Sequence, residues 1–474
     1  MHNILRASVV YRAIAAAGAA FGGQWRRSAI IGRFLRGSRS TDGGLAAAAW
    51  FSVRRGIGRL YRLARLDKIP AESVLRRPEL WCTATLVLAP IVPTMAAAGL
   101  AGATCLSALI RAGAAPGDRP ARHGTARYII LFAAIYFASI FTSVAVSGSM
   151  YGGLLQTFFA LLGVVMFSSV RERHHITLVI RAFALSGAAV AGYGILQYLR
   201  GAHGASAWLD SEMFSDIGLR VYSTLGNPNV LAEYLLLVIP FAAALVLTEK
   251  RVLPRLLFLG SLAAMLLCMA LTFARGGWLG LILAAAVFLI MLDRRFILLG
   301  IFGLAALYFL LPDVIVSRFL SIGNLEDGST SYRLSIWLGT LAMLRDFWFV
   351  GIGPGTAAFN KIYPLYGYNT VAAPHSHNLF LQFVCDSGVA ALIVFVMVVF
   401  SLLRALASSV AGSADKTMNR FRIAAISAVV GFLAQGLTDY SFYNYRVTLV
   451  FWASVGLGMA LSRRSDAETA AADD

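Results

Sequence analysis

The amino-acid sequence predicts an all-α, polytopic integral membrane protein with about twelve transmembrane helices and a long external loop. Of its 474 residues, 58% are apolar and only 14% are charged, whereas soluble domains carry about 25% charged residues. Apolar runs long enough to cross a bilayer recur along the chain between short polar breaks. This composition excludes an ordinary soluble enzyme, a disordered chain and a disulfide-stapled secreted module.

Residues 1–79 form a basic region ahead of the apolar runs. They contain fifteen Lys and Arg against four Asp and Glu, with aromatic and aliphatic residues between the cations. This spacing is typical of an amphipathic helix on an anionic cytoplasmic leaflet, so we expect the tail to bind anionic membrane lipids. A loosely ordered tail is the alternative. In a membrane protein, the net charge of +18 indicates basic cytoplasmic loops and no nucleic-acid partner.

The predicted transmembrane domain occupies residues 80–462, and a short cytoplasmic tail, 463–474, follows it. Pro90 and Pro93 lie between the first two apolar runs and mark either a hairpin or a kink in one long helix. The predicted spans are 80–95, 97–110, 128–147, 151–169, 176–198, 229–248, 253–273, 277–292, 296–311, 378–403, 421–438 and 446–462.

The distribution of cations predicts the orientation of these spans. A cytoplasmic N-terminus and an even number of spans place most of the 41 Lys and Arg residues inside, as the positive-inside rule requires. Both termini are then cytoplasmic, and the long segments 199–228 and 312–377 are external; long loops in compact proteins are usually functional. The cations left outside are Arg200, Arg220, Arg275, Arg318, Arg333, Arg345, Lys361 and Arg446.

Two of the external cations lie at predicted helix starts. Arg220 precedes the tetrapeptide Gly-Asn-Pro-Asn that ends at Asn229, and such a sequence predicts a rigid turn followed by a helix. Arg275 lies in TFARGGWLG (272–280), between two apolar runs with almost no loop, so we expect it at the external membrane edge. A simple helix start and a snorkelling arginine are the structural alternatives.

The segment 331–355 has helical periodicity and predicts a helix along the external surface that contains Arg333 and ends in a glycine-rich stretch, 351–355. Aromatic residues of the long loop suit either sugar stacking or an interfacial belt.

His375 and His377 precede a long apolar helix. Because histidines at i and i+2 do not share a helix face, and no third ligand with metal-binding spacing lies nearby, we expect no metal. A neutral imidazole can accept a hydroxyl proton, or simply cap the helix.

Arg220, Arg275, Arg333 and His377 come from four separate segments that are all predicted on one side of the membrane. Arginine forks neutralise phosphate oxygens, and a histidine can serve as a base. The four residues therefore predict an external site in which cations hold a pyrophosphate leaving group.

These motifs resemble those of the O-antigen ligase and polymerase superfamily of bacterial polytopic glycosyltransferases, over about residues 80–462. Ligases of the family have a histidine followed by Asn, Ser or Gln, then nine residues and a glycine; here these are His377, Asn378 and Gly388. The ligase pattern then expects Gly, Thr or Tyr where this chain has Ala391, so polymerase is slightly preferred. The other matching segments are RVYSTLGNPNVLAEY, TFARGGWLG and the stretch from SYRLSIW to GIGPG.

The resemblance implies transfer of a glycan from an undecaprenyl-pyrophosphate carrier to a sugar hydroxyl of a glycan acceptor, outside the bacterial inner membrane. Such a transfer inverts the anomeric centre and needs neither a metal nor another cofactor. The residues implied are His377 as the base, Arg275, Arg333 and Arg220 for the pyrophosphate, and Asn378, Asn229 and His375 in support. Asp386, at a position where the family often has an acid, would orient helix contacts.

A transporter, such as a lipid-linked oligosaccharide flippase, is the alternative function. A transporter is expected to show internal repeats, broken helices and charges at mid-membrane depth. The unusual charges of this chain are instead predicted to cluster on one surface, which favours the enzyme.

Overall fold

The computed structural model describes most of the chain between residues 61 and 463. The described residues are 56, 58, 61–70, 72–114, 123–201, 220–293, parts of 295–303, 313–320, 328–368 and 371–463. Most of the predicted basic tail 1–79, most of the predicted span 296–311 and all but the first residue of the predicted tail 463–474 lie outside them.

The described part of the chain is α-helical and contains no β-strand, which confirms the predicted all-α fold class. Its helices are α1 (Pro78–Leu88), α2 (Thr94–Ala114), α3 (Gly124–Phe141), α4 (Val146–Ser169), α5 (Arg173–Leu199), α6 (Pro228–Thr248), α7 (Val252–Leu271), α8 (Arg275–Leu292), α9 (Asp313–Leu320), α10 (Gly328–Phe347), α11 (Thr356–Ile362), α12 (Leu379–Gly412), α13 (Lys416–Gly436) and α14 (Tyr445–Leu461).

Eight of these helices, α2 to α8 and α12, are long and apolar enough to cross a membrane. Helix α14 is apolar but has 17 residues, and the first two turns of α13 carry Lys416, Arg420 and Arg422. The chain is therefore a multi-pass membrane protein, while the count of about twelve spans stays a prediction.

The first two predicted spans form a hairpin of helices. Helix α1 ends at Leu88 and α2 begins at Thr94, with Pro90 and Pro93 between them. The two helices pack together, and the hydroxyls of Thr85 and Thr104 lie 2.8 Å apart. With 11 residues, α1 is shorter than the span predicted at 80–95.

Helix α6 lies at the centre of the bundle and packs against α5, α7, α8 and α13. It is the most buried of the eight candidate spans. The predicted turn starts it: Gly226 has a φ of 78°, the side chain of Asn227 caps the helix by accepting the amide of Asn229, and Pro228 is its first residue. Proline is favoured there because the amide it lacks has no partner within the helix.

The glycines after Arg275 serve helix packing. A Cβ atom on Gly280 would lie 2.6 Å from the carbonyl oxygen of Gly431, so α8 and α13 touch through their backbones. This contact fixes the start of α8, and with it Arg275, against α13.

Helix α12 is broken at Ser387 and Gly388, whose φ values are −147° and 76°. The segment that follows α10 crosses at this break: the Val389 amide donates to the Trp348 carbonyl at 2.8 Å, and a Cβ on Gly388 would overlap the carbonyl oxygen of Phe349. This crossing is a physical reason for the glycine of the predicted histidine motif.

The helix predicted over 331–355 is α10, and it ends at Phe347, before the glycine-rich stretch.

The two ends of the bundle differ in how their arginines are used. At one end, arginines donate to carbonyls that close helices: Arg111 to Ser168 at 3.1 Å and Arg422 to Leu461 at 2.8 Å. Such contacts satisfy carbonyls that lack a partner within the helix. The opposite end contains the starts of α6, α8 and α12, and four arginines there line a cavity.

Candidate active site

The three predicted arginines lie on one cavity at this end of the bundle. The cavity has a volume of about 370 Å³, and its lining includes Arg220, Arg275 and Arg333 together with Asn229. Arg318, on α9, is a fourth arginine in the lining. The structure therefore brings together cations from four separate segments, as the sequence predicted for three of them.

Arg220 is buried between the starts of α6 and α8. Its Nε donates to the carbonyl of Thr272 at 2.9 Å, and its Nη2 donates to Oδ1 of Asn229 at 3.0 Å. Burial, and then the charges of Arg318, Arg333 and Arg275, lower the pKa of Arg220 to about 9. Arg220 therefore remains charged near neutral pH, and the four arginines together give the cavity a positive charge that suits a polyanion.

Arg275 and Arg333 approach the cavity from different helices. Arg275 is the first residue of α8, where the positive end of the helix dipole adds to its charge. Arg333 lies in the second turn of α10, and its Nη1 donates to the hydroxyl of Ser329 at 2.7 Å. Ser329 also lines the cavity. The Ser329 hydroxyl thus orients the guanidinium of Arg333, whose other N–H groups can still donate to a ligand.

His377 stands beside this cavity on the turn that starts α12. It adopts a φ of 47°, which is unusual for a residue other than glycine. Its Nδ1 lies 3.1 Å from Oδ1 of Asp439, a buried residue on the loop between α13 and α14. Because an ionised carboxylate only accepts, the neutral imidazole carries its proton on Nδ1 and its lone pair on Nε2. This tautomer is the one that a general base needs.

Asp439 links the histidine to the arginines. Its Oδ2 accepts the amide Nδ2 of Asn229 at 2.8 Å, and Asn229 in turn accepts from Arg220. Burial alone would raise the pKa of Asp439, but the hydrogen bond and charge of His377 and the charge of Arg333 hold it well below its usual range. These contacts thus favour the ionised form of Asp439.

The predicted supporting residues have distinct structural roles. Asn229 is the link just described. Asn378 caps α12 by accepting the amides of Phe380 and Leu381, and its Nδ2 donates to the carbonyl of Leu437 at 2.8 Å. Asn378 therefore ties the turn that carries His377 to the end of α13, two residues before Asp439.

His375 is buried under His377 and stacks on Tyr443, with ring centroids 4.8 Å apart. Its Nδ1 accepts the backbone amide of His377 at 3.3 Å. Burial, and then the charge of His377, lower the pKa of His375 to about 3. His375 is therefore neutral, and its bond to the amide of His377 stabilises the turn before α12.

Asp386 joins both halves of the histidine–aspartate pair from within α12. Its carboxylate accepts Nε2 of Gln382 at 2.8 Å, the hydroxyl of Tyr136 at 2.9 Å and the hydroxyl of Tyr440 at 3.3 Å. Gln382 accepts the amide of Ser376, next to His377, and Tyr440 follows Asp439. The carboxylate thus bonds to the neighbour of Asp439 directly and to the neighbour of His377 through Gln382, in line with the orienting role that the resemblance implies.

No third metal ligand lies near the histidines in the sequence, whereas the structure brings Asp439 beside them. Ligand atoms of His375, His377 and Asp439 lie within 4.8 Å of one another. The surroundings disfavour a cation, because Nδ1 of each histidine and both oxygens of Asp439 already have hydrogen-bond partners. Arginine charges on the adjoining cavity would also repel it.

Sequence reasoning missed Asp439, Arg318 and the aromatic residues around His377. Arg318 was one of the unexplained external cations, which was a usable signal. Asp439 lies in the short polar break between two apolar runs. An ionised acid so close to apolar segments is costly unless it is paired. No sequence pattern connects it to His377.

Fold and site together define a multi-pass α-helical membrane protein with a cationic site at one end of its bundle. Residues 260–396 match the family model described as O-antigen ligase, which supports the assignment to the O-antigen ligase and polymerase superfamily that the motifs indicated. The matched region contains Arg275, Arg318, Arg333 and His377, while Arg220, Asn229 and Asp439 lie outside it. No curated protein matches the chain.

Proposed function

We propose that the protein is an inverting, metal-independent glycosyltransferase that moves a glycan from an undecaprenyl-pyrophosphate carrier to a sugar hydroxyl. The observation that carries this proposal is the combination of four arginines on one cavity with a histidine–aspartate pair at its edge. A cationic cavity suits a pyrophosphate, and an oriented imidazole suits removal of a hydroxyl proton. The family match supports a membrane enzyme of the ligase or polymerase type.

The arginines hold the pyrophosphate of the donor. As the bond between the anomeric carbon and the pyrophosphate oxygen breaks, that oxygen takes the electron pair, and the guanidiniums of Arg220, Arg275 and Arg333 stabilise its charge. Two leucines of the cavity wall, Leu279 and Leu334, are also exposed at the surface. They provide an apolar flank for the lipid of the carrier.

His377 activates the acceptor. Its Nε2 accepts the proton of the sugar hydroxyl while the hydroxyl oxygen forms the new bond to the anomeric carbon, on the face opposite the leaving pyrophosphate. The imidazolium that results is stabilised by Asp439 at 3.1 Å. Attack in a single displacement inverts the anomeric configuration.

The proposed location is the bacterial inner membrane, with both termini cytoplasmic and the cavity outside. Arg111 and Arg422 lie at the end of the bundle away from the cavity. They support this orientation, because positively charged loops of membrane proteins lie on the cytoplasmic side. Reporter fusions at residues 345 and 413 test it: the first is expected outside and the second inside. The opposite pattern contradicts the proposed orientation.

The central experiment incubates the purified full-length protein, in lipid nanodiscs, with lipid-linked oligosaccharide alone. A ladder of longer products indicates the slightly preferred polymerase, and transfer only after addition of a second glycan acceptor indicates a ligase. His377→Gln is expected to slow either reaction by about 10²–10⁴, while His174→Gln, at an exposed position in α5, serves as the matched control. Absence of transfer under both conditions contradicts the proposed function.

A further inference from the structure

Helix α10 presents two neighbouring residues to different parts of the site. Arg333 lines the cavity, whereas Tyr332 contacts His377, with ring centroids 5.8 Å apart at an interplanar angle of 70°. The Tyr332 hydroxyl donates to the carbonyl of Ala372 at 2.9 Å. This bond fixes the ring beside the histidine, yet 37% of the residue remains exposed.

A second aromatic residue of the same helix lies on the cavity side of His377. The indole Nε1 of Trp337 donates to the carbonyl of His377 at 3.3 Å, and Trp337 lines the cavity. One helix therefore contacts His377 with an aromatic residue inside the cavity and another at the accessible surface.

Other aromatic residues of this region have structural partners. Phe347, Tyr363 and Tyr366 belong to a separate apolar cluster beneath α10, and Tyr363 stacks on Phe359 at 4.8 Å. Trp348 is exposed but lies where the chain crosses the break in α12. Tyr332 thus combines an accessible ring with contact to the base.

We propose that Tyr332 forms the acceptor subsite, on which the ring of the acceptor sugar stacks so that its hydroxyl reaches His377. This inference rests on the proposed function and deepens it. A displacement with inversion needs the acceptor on the side of the anomeric carbon opposite the pyrophosphate. The arginine cavity occupies one side of His377, and Tyr332 lies against its ring without lining that cavity. A pyranose presents an apolar face that suits an aromatic ring.

The test separates acceptor binding from donor binding in the full-length protein. The acceptor probe is the repeat-unit glycan on a short alkyl chain, which has no pyrophosphate and cannot act as a donor. We expect Tyr332→Leu to raise the KM for this probe by about three- to tenfold, the range of an aromatic contact, while the donor KM is unchanged. Tyr332→Phe keeps the ring and is expected to retain the acceptor KM of the unchanged protein.

Trp348→Leu is the control, because it removes an exposed aromatic residue from the same region without touching His377. An unchanged acceptor KM in Tyr332→Leu overturns the inference, as does an equal rise in both KM values. If Tyr332→Leu does not accumulate, Tyr332→Gln carries the same expectations. Failure of the unchanged protein to transfer any glycan overturns the proposed function and the subsite with it, whereas transfer with a normal acceptor KM in the leucine variant overturns the subsite alone.

Discussion

The Nδ1 atom of His377 lies 3.1 Å from Oδ1 of Asp439, although 62 residues separate them in the chain. The histidine is on the turn before α12, and the aspartate follows α13. The two helices pack together, so the loops at their ends meet. The pairing settles which imidazole nitrogen carries the proton, and the predictions about catalysis follow from it.

His377→Gln is expected to lower turnover by about 10²–10⁴, the usual contribution of a general base, and to leave donor binding intact, because the arginines supply that binding. His375→Asn, which keeps an acceptor for the amide of His377, is expected to cost much less. Turnover and donor affinity are measured on both variants. Equal activity of the two variants, or loss of donor binding in His377→Gln, contradicts the assignment of the base.

Asp439→Asn is expected to reduce turnover by about 10²–10⁴ with little change in donor affinity. The amide has the shape of the carboxylate but can no longer fix the tautomer of His377 or stabilise its charge. Asp346→Asn is a suitable control, because Asp346 accepts the hydroxyl of Tyr366 at 2.6 Å on the protein surface. A variant Asp439→Asn with normal turnover would assign Asp439 to structure only.

Arg275→Lys is expected to be nearly as damaging as Arg275→Ala, with a loss of about 10²–10³ in turnover. Lysine keeps the charge but loses the planar fork that matches two phosphate oxygens. Arg345→Lys, an exposed substitution on α10, provides the comparison. Near-normal turnover of Arg275→Lys would show that this residue acts only as a surface anchor.

Chelation is expected to leave the reaction intact. His375, His377 and Asp439 are close enough to bind an ion, but Nδ1 of each histidine and both oxygens of Asp439 are engaged in hydrogen bonds, and arginines line the adjoining cavity. Turnover is measured after dialysis against EDTA and again after addition of Mg²⁺, Mn²⁺ or Zn²⁺. Inhibition by EDTA that a single metal reverses would mean that the three residues form a metal centre.

The sequence predicted most of the helices and three arginines of the site, for a simple physical reason. Apolar runs reveal helices because lipid leaves the backbone few alternatives, and Arg220 and Arg275 stand out because a cation at an apolar helix end needs an explanation. Asp439 could not be paired with His377 in this way, since their contact depends on the packing of α12 against α13. The break at Gly388 likewise arises from a crossing segment that the local sequence does not encode.

At the end of the bundle away from the cavity, His123 is expected to make the stability of the protein depend on pH. His123 caps α3: its Nδ1 accepts the amide of Thr125 at 3.1 Å, and its Nε2 lies 2.8 Å from the hydroxyl of Ser462. Burial, and then the charge of Arg463, lower the pKa of His123 to about 4, against about 6.5 in an unfolded chain. Between these values the unfolded state binds more protons, so the free energy of unfolding falls as the pH falls from about 6.5 to 4.

His123→Asn should remove this dependence, because asparagine is a good cap and does not titrate. The unchanged protein is expected to lose on the order of 1–2 kcal/mol of stability through His123 between pH 7.5 and 5. Thermal unfolding of the full-length protein at both pH values measures the loss. We expect the fall in Tm to be smaller in His123→Asn than in the unchanged protein and in His174→Asn, whose position is exposed. An equal fall in all three proteins would mean that protonation of His123 does not break the cap.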